Sequence, residues 1–156
     1  MKIGIKISLL LMLIVVLFTG CKGKEVKTVC KSSSNQTASD YKTNSVYTIY
    51  SNNDIVSKIE LNEAIESKNT TVLAYHEKQL KELYKSNNNS YGGYDYKITN
   101  KDGKVTAVVT IDYSKMNFKK FVADNPAMKD FINKDNKLLL EGVKAMYESS
   151  GATCDK

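Results

Sequence analysis

The sequence predicts an α+β fold, an antiparallel sheet of about four to five strands laid down as hairpins with helices between and after them. Three observations carry this expectation. Segments of apolar/polar alternation flank short turns rich in Asn, Asp and Gly, and other segments repeat their apolar residues at helical spacing. The chain has 156 residues, 42% of them hydrophobic, which suits one domain with a core of its own.

Glu25 to Lys31, "EVKTVCK", alternates well enough for a first strand, and Ser32 to Asp40, "SSSNQTASD", reads as a polar loop. Val46 to Tyr50, "VYTIY", is β-branched and aromatic. Ser51 to Asp54 turns the chain into "IVSKIELNEAI", where Ile55, Ser57, Ile59 and Leu61 share one face and Val56, Lys58, Glu60 and Asn62 the other, so one face of this hairpin is expected to be wet. From Thr70 to Lys85 the period changes. Val72, Leu73, His76, Gln79, Leu80, Leu83 and Tyr84 recur at helical spacing, Asn69 or Thr70 can cap the free N–H groups, and "SNNNS" ends the run.

The second hairpin has the clearest pattern. Tyr94, Tyr96 and Ile98 alternate with Asp95, Lys97 and Thr99; Val105, Ala107, Val109, Ile111 and Tyr113 alternate with Thr106, Val108, Thr110 and Asp112. Between them Asn100 to Gly103 supplies residues tolerant of positive φ for a tight turn. Three helical pieces follow: Met116 to Val122 with Ser114 as cap, a segment opened by Asn125-Pro126 and running through Ile132, and a last helix from Asn136 to Ser149 before Gly151.

Ahead of this domain stands a different kind of segment. Lys2 and Lys6 precede a nearly pure apolar run, Ile7 to Phe18, of about a dozen residues where roughly 20 are needed to span a bilayer. It ends in Leu17-Phe18-Thr19-Gly20-Cys21, which resembles a bacterial lipoprotein signal, with small residues before the cysteine that receives the diacylglyceryl group and becomes the new N-terminus. Phe18 departs from the Leu usual at its place. The organisation expected is then a signal peptide over residues 1–20, a lipidated tether over 21–24 and the domain over 25–156. The alternative is an ordinary secreted or membrane-anchored segment. An anchored product would lie on the extracytoplasmic face of the cell membrane, and two or more acyl chains give durable attachment. Lys22 and Lys24 either attract anionic headgroups or solvate the tether.

The basic residues, 23 in all, are Lys without exception, alongside many Asn, Ile and Tyr; this is the bias of an AT-rich genome and, with the signal, of a low-GC Gram-positive bacterium. The formal charge of +6 drops by two with Lys2 and Lys6, a mild excess. No Lys cluster interleaves with aromatics as nucleic-acid binding favours, so the partners expected are the membrane, through the lipid, and an envelope ligand or protein, with the chain a monomer.

With Cys21 taken by lipid, Cys30 and Cys154 remain, the even remainder that a disulfide needs in an exported chain. Metal binding is the alternative, although two cysteines and the one His form no recognisable zinc spacing, and neither a metal nor another cofactor is expected.

The lipoprotein signal, Thr28-Val29-Cys30, the hairpin ending in "TIDYSK" (Thr110 to Lys115) and the last helix running into Gly151-Ala152-Thr153-Cys154 resemble the YehR-like lipoproteins, small proteins of unknown function. The resemblance spans nearly all of the chain after the signal. It implies an α+β fold with the helices packed on one face of an antiparallel sheet, and an N-to-C-terminal cysteine pair; it carries over no catalytic residue.

The residues themselves agree in pointing to no reaction. His76 sits on the apolar stripe of a helix; Glu60, Glu63 and Glu66 could do acid–base work or simply face solvent; Asp124-Asn125 and "NKDN" at 133–136 lack the acidic positions and glycine of a calcium loop; Gly92-Gly93 has no phosphate-loop context. Tyr94, Tyr96 and Tyr113 could form a ligand face that stacks sugars or grips a peptide, or could cover the sheet beneath a helix. The expectation is a non-catalytic binding or structural module of the cell envelope. The alternative is an envelope hydrolase or modifying enzyme.

Overall fold

The structure, a computed structural model, describes residues 24–155; the signal segment and Cys21 lie outside the described residues. Its sheet is antiparallel and has six strands, β1 (Val26–Gln36), β2 (Tyr41–Asn52), β3 (Ile55–Glu66), β4 (Tyr94–Lys101), β5 (Lys104–Asp112) and β6 (Thr153–Cys154), in the order β4-β5-β3-β2-β1-β6. The helices are α1 (Thr70–Tyr91), α2 (Phe118–Asp124) and α3 (Leu140–Ser149), with 3-10 turns at Thr37–Ser39 and Pro126–Phe131.

The count of four to five strands is corrected to six by the two-residue β6, which pairs Cys30 with Cys154 and Lys31 with Thr153. Strand β1 also runs through the stretch expected as a loop, because the ladder to β2 continues from Val26↔Ser51 to Gln36↔Tyr41. Backbone pairing does not depend on side-chain polarity, and those serines need no apolar partner where no helix lies above them.

Both central hairpins close through two residues at positive φ, Asn53-Asp54 (48° and 63°) and Asp102-Gly103 (54° and 73°), the geometry that matches strand twist. In β3 the register slips by one at Tyr50/Ser51, where Ser57 is the extra residue; its Oγ donates to the Tyr50 carbonyl and its own carbonyl accepts from Tyr113 N–H. The bulge reverses the alternation. Val56, expected on the wet face, is therefore buried while Ser57 is exposed.

Cys30, Ile49, Ile59, Leu61, Ile65, Val105, Ala107 and Val109 are all buried on the face toward the helices, each worth about 1.5–3 kcal/mol where a branched side chain is fully removed from water. Leu73, Leu80 and Tyr84 of α1 pack on β3, β5 and β4. Val143 and Tyr147 of α3, with Met128 and Phe131, pack on β1, β2 and the start of β3.

Helix limits shift for tertiary reasons. Helix α1 continues through "SNNNS" because its end is fastened from outside: Tyr91 meets Phe121 at 5.3 Å, Asn88 Oδ1 accepts from Tyr94 N–H, and Gly92 N–H bonds Asn88 O. Asn117 caps α2 through Lys120 N–H, in place of Ser114, which bonds Asp112. The segment after Pro126 is a 3-10 turn ending at Phe131. The last helix starts at Leu140 because Leu138 and Leu139 run extended along the β2–β3 turn, with Val56 N–H bonded to Leu138 O and Leu140 N–H to Asp54 O. Gly93, at φ +78°, admits no side chain, since a Cβ would stand 2.6 Å from the Asp112 carbonyl oxygen.

The disulfide Cys30–Cys154, between residues 124 apart, closes the domain. It ties the outermost long strand to the end of the chain. Cys154→Ser is expected to lower stability by about 4–5 kcal/mol, the chain-entropy value for so long a loop, read as a lower denaturation midpoint than that of the oxidised parent. An unchanged midpoint would show that β6 docks without its staple.

Candidate functional site

The tyrosines singled out as a possible ligand face stand on the helix-covered side. Tyr94 and Tyr96 on β4 lie 6.5 and 5.8 Å from the ring of Tyr84 on α1, and burial pushes the Tyr94 hydroxyl up to about 12. Tyr113 meets Phe118 edge-on at 5.8 Å, and burial raises its hydroxyl further. The structure joins Tyr94 and Tyr96 to one packed cluster and Tyr113 to another.

The opposite face is bare and polar. Its aromatic is Tyr50, covered by Lys58, whose Nζ lies 3.8 Å from the ring centre, and by Lys27 at 5.0 Å. Tyr50 Oη donates to Glu60 Oε2 at 2.6 Å and Lys58 Nζ to Glu60 Oε1 at 2.7 Å. The Lys58 bond, then that of Tyr50, lowers the Glu60 carboxyl. Such satisfied, solvent-facing pairs contribute little, and this group holds a strand end in place.

The helices leave part of their own face uncovered. Beyond Cys30 the inward positions of β1 are Ser32, Ser34 and Gln36, opposite Ser45, Thr43 and Tyr41 of β2; Ser34 and Gln36 are exposed because α3 has ended and α1 lies over the far strands. Against the near flank of α1 this leaves a depression of about 450 Å³ lined by Ser39, Tyr41, Asn69, Thr71, Val72, Tyr75 and His76. The His76 ring lies 4.6 Å from Tyr41 and 5.5 Å from Tyr75. Tyr75 is 60% exposed. A second, larger depression, about 770 Å³, shares Tyr41 and is bordered by Lys42, Glu66, Lys68, Asp102 and Lys104, with Lys104 Nζ 2.8 Å from Glu66.

The three glutamates divide. Glu60 and Glu66 occupy the bare face, whereas Glu63, by strand alternation, points inward, where Ser45 Oγ is 3.5 Å from its Oε1. Desolvation raises the Glu63 carboxyl, and Glu63 stands close enough to Tyr84 to help raise that hydroxyl, although burial is the larger cause there. Among the described residues no group of three or more His, Cys, Asp or Glu could hold a metal ion. The Asn-rich stretches are structural: Asn133 Oδ1 accepts from the N–H groups of Asp135 and Lys137, and Asn125 Nδ2 donates to Phe121 O.

Sequence reasoning reached His76 but missed Tyr41 and Tyr75, which lie 34 residues apart and meet only through the tertiary fold. One signal was present: Tyr75 falls off the buried stripe of its helix, where a large aromatic has no packing role.

Together these features define an open-faced α+β domain, an antiparallel sheet with helices on one side and its first strand stapled to the chain end. Among solved structures, the NMR structure of the YehR protein of E. coli is similar over 86% of this chain and 93% of that one, with 18% sequence identity and a TM-score of 0.53. At that identity the two share a fold, the one the sequence resemblance implied. A protein from Streptococcus pneumoniae TIGR4, also solved by NMR, aligns over 86% of this chain and 87% of its own at 13% identity and a TM-score of 0.48. No protein-family model matches the chain, and no curated protein does.

The environment of Glu63 makes a prediction about pH. Its carboxyl is raised in the folded state above the ordinary value of 4.5, so its favourable contribution is complete below that value and is lost as pH rises through the folded-state value. Glu63→Gln keeps the shape without the charge. It should raise the thermal midpoint at pH 7 and leave it nearly unchanged at pH 4, as read by melts at both; a lower midpoint at pH 7 would mean that the charged form is the stabilised one.

Proposed function

We propose that the protein is a lipid-anchored, extracytoplasmic lipoprotein of the YehR-like kind and acts as a non-catalytic binding module of the cell envelope. The observation that carries this reading is the aromatic depression at one end of the sheet. The chain enters β1 beside Ser51 and reaches Tyr41 at the other end of the same ladder, some ten residues or about 35 Å away. A domain tethered through Cys21 therefore presents Tyr41, Tyr75 and His76 away from the membrane. Among the described residues no helix is long and apolar enough to cross a bilayer.

The pairing of Cys30 with Cys154 suits an oxidising, extracytoplasmic compartment. His76, which any Ser–His or Cys–His reaction would need, has the rings of Tyr41 and Tyr75 as close neighbours, which supports contact with a ligand.

Two measurements test this. The mature chain from membranes should carry a diacylated Cys21 by mass spectrometry, and Cys21→Ala should leave uncleaved precursor; an unmodified N-terminus downstream of Cys21 would end the lipoprotein reading. The detergent-solubilised mature chain should co-sediment saturably with protein-stripped cell envelopes without altering them. Release of soluble envelope fragments would favour the hydrolase reading.

A further inference from the structure

Resting on that binding reading, we infer that the depression formed by Tyr41, Tyr75 and His76 binds a neutral carbohydrate chain. The argument begins with Tyr75. On α1 the buried positions are Leu73 and Tyr84, and Tyr75 lies to one side of them, 60% exposed. The other tyrosines of the helix face are half-buried or buried against neighbours: Tyr84 with Tyr94 and Tyr96, and Tyr147 stacked on Tyr47 at 4.0 Å. Tyr75 has the area without the burial, while its ring stands at 76° to that of His76 and His76 at 61° to Tyr41. Three rings set at steep angles around one space offer faces in more than one direction.

The remaining lining decides the ligand class. Ser39 and Thr71 bring hydroxyls, Asn69 an amide and Val72 an apolar wall, and among the described residues no carboxylate or ammonium borders this space. Asn69 is fixed in place because its Oδ1 caps α1, accepting from Thr71 N–H at 2.9 Å and Val72 N–H at 3.4 Å; its amide N–H groups remain as donors. Aromatic faces with neutral donors and acceptors match a pyranose, which has C–H faces to lay on rings and hydroxyls at its rim. A phosphate or an acidic peptide would find no lysine among the described residues that line it. The neighbouring depression, with Lys42, Lys68 and Lys104 beside Asp40, Glu66 and Asp102, has that charged character and shows the contrast. A volume of about 450 Å³ lies within the usual range for small-ligand sites and accommodates a short stretch of a longer chain entering from an open side.

The test uses the detergent-solubilised mature chain, in a detergent without a sugar head group, with chitotetraose and maltotetraose as probes. Saturation-transfer NMR should show contact between one of them and the protein, and calorimetry should show Tyr75→Ala weakening that binding at least about tenfold. Tyr75 is exposed enough for the variant to fold. Lys97→Ala on the bare face should leave binding unchanged. Absence of binding by either probe at about 10 mM, or binding indifferent to Tyr75→Ala, overturns the inference. Envelope co-sedimentation of the Tyr75→Ala chain separates the two readings. If it persists undiminished while neither probe binds, the envelope-binding role stands and the site is wrong; if it falls with Tyr75→Ala while neither probe binds, the site stands but a carbohydrate is not its ligand, which also overturns the inference.

Discussion

A broad antiparallel sheet that is wet on one side must have its other side covered, and the helical content of this chain is too small to cover all of it. Helix α1 spans the β4-β5-β3 side, and α3 with its preceding 3-10 turn spans the entry end of β1 and β2. The uncovered remainder is the far quarter of β1 and β2, and the side chains there follow suit: Ser32, Ser34, Gln36 and Thr43 take the inward positions that Cys30 and Ile49 occupy further along. The depression around Tyr41 is the consequence of this shortfall. A sheet with a third long helix over β1 would have none.

The same frame explains why the depression has fixed walls. On one side stands Tyr41, which opens β2 and pairs with Gln36 of β1 just before the strand gains β3 as its second neighbour at Lys42, and on the other stand the capped first turns of α1. The disulfide and the bulge act at the other end of the sheet, where β6 is too short to hold itself and where Ser57 redirects Val56 into the core. Order is thereby kept at the end where the chain enters β1, and the depression at the opposite end can remain open without loosening the fold.

Charge plays a smaller part. Lysines and carboxylates of the bare face pair locally, as Lys58 does with Glu60 and Lys104 with Glu66. Loss of water raises the ionisations of the buried tyrosines and of Glu63, whereas hydrogen bonds from neighbouring side chains lower surface carboxylates such as Glu60 and Glu66.

The sequence by itself determined the elements whose pattern is local. The tight turn at Asp102-Gly103, the alternation in β4 and β5, and the Asn69-capped helix are written in neighbouring residues, because strand parity, helix period and turn φ angles act over a few positions. An even pair of cysteines behind a segment that reads as an export signal was enough to expect the bridge. Tertiary structure alone decided the rest. The serine-rich half of β1 is a strand because β2 pairs with it; "SNNNS" is helix because Phe121 and Tyr94 hold its end; Leu138 and Leu139 are extended because the β2–β3 turn offers them backbone partners; and Glu63 parts from Glu60 and Glu66 because the sheet has a covered side. Tyr41 and Tyr75 show the limit most plainly. Tyr41 is unremarkable in its own segment and Tyr75 is marked only by falling off the buried stripe of its helix; the space between them exists only once a strand and a helix from separate parts of the chain lie against each other.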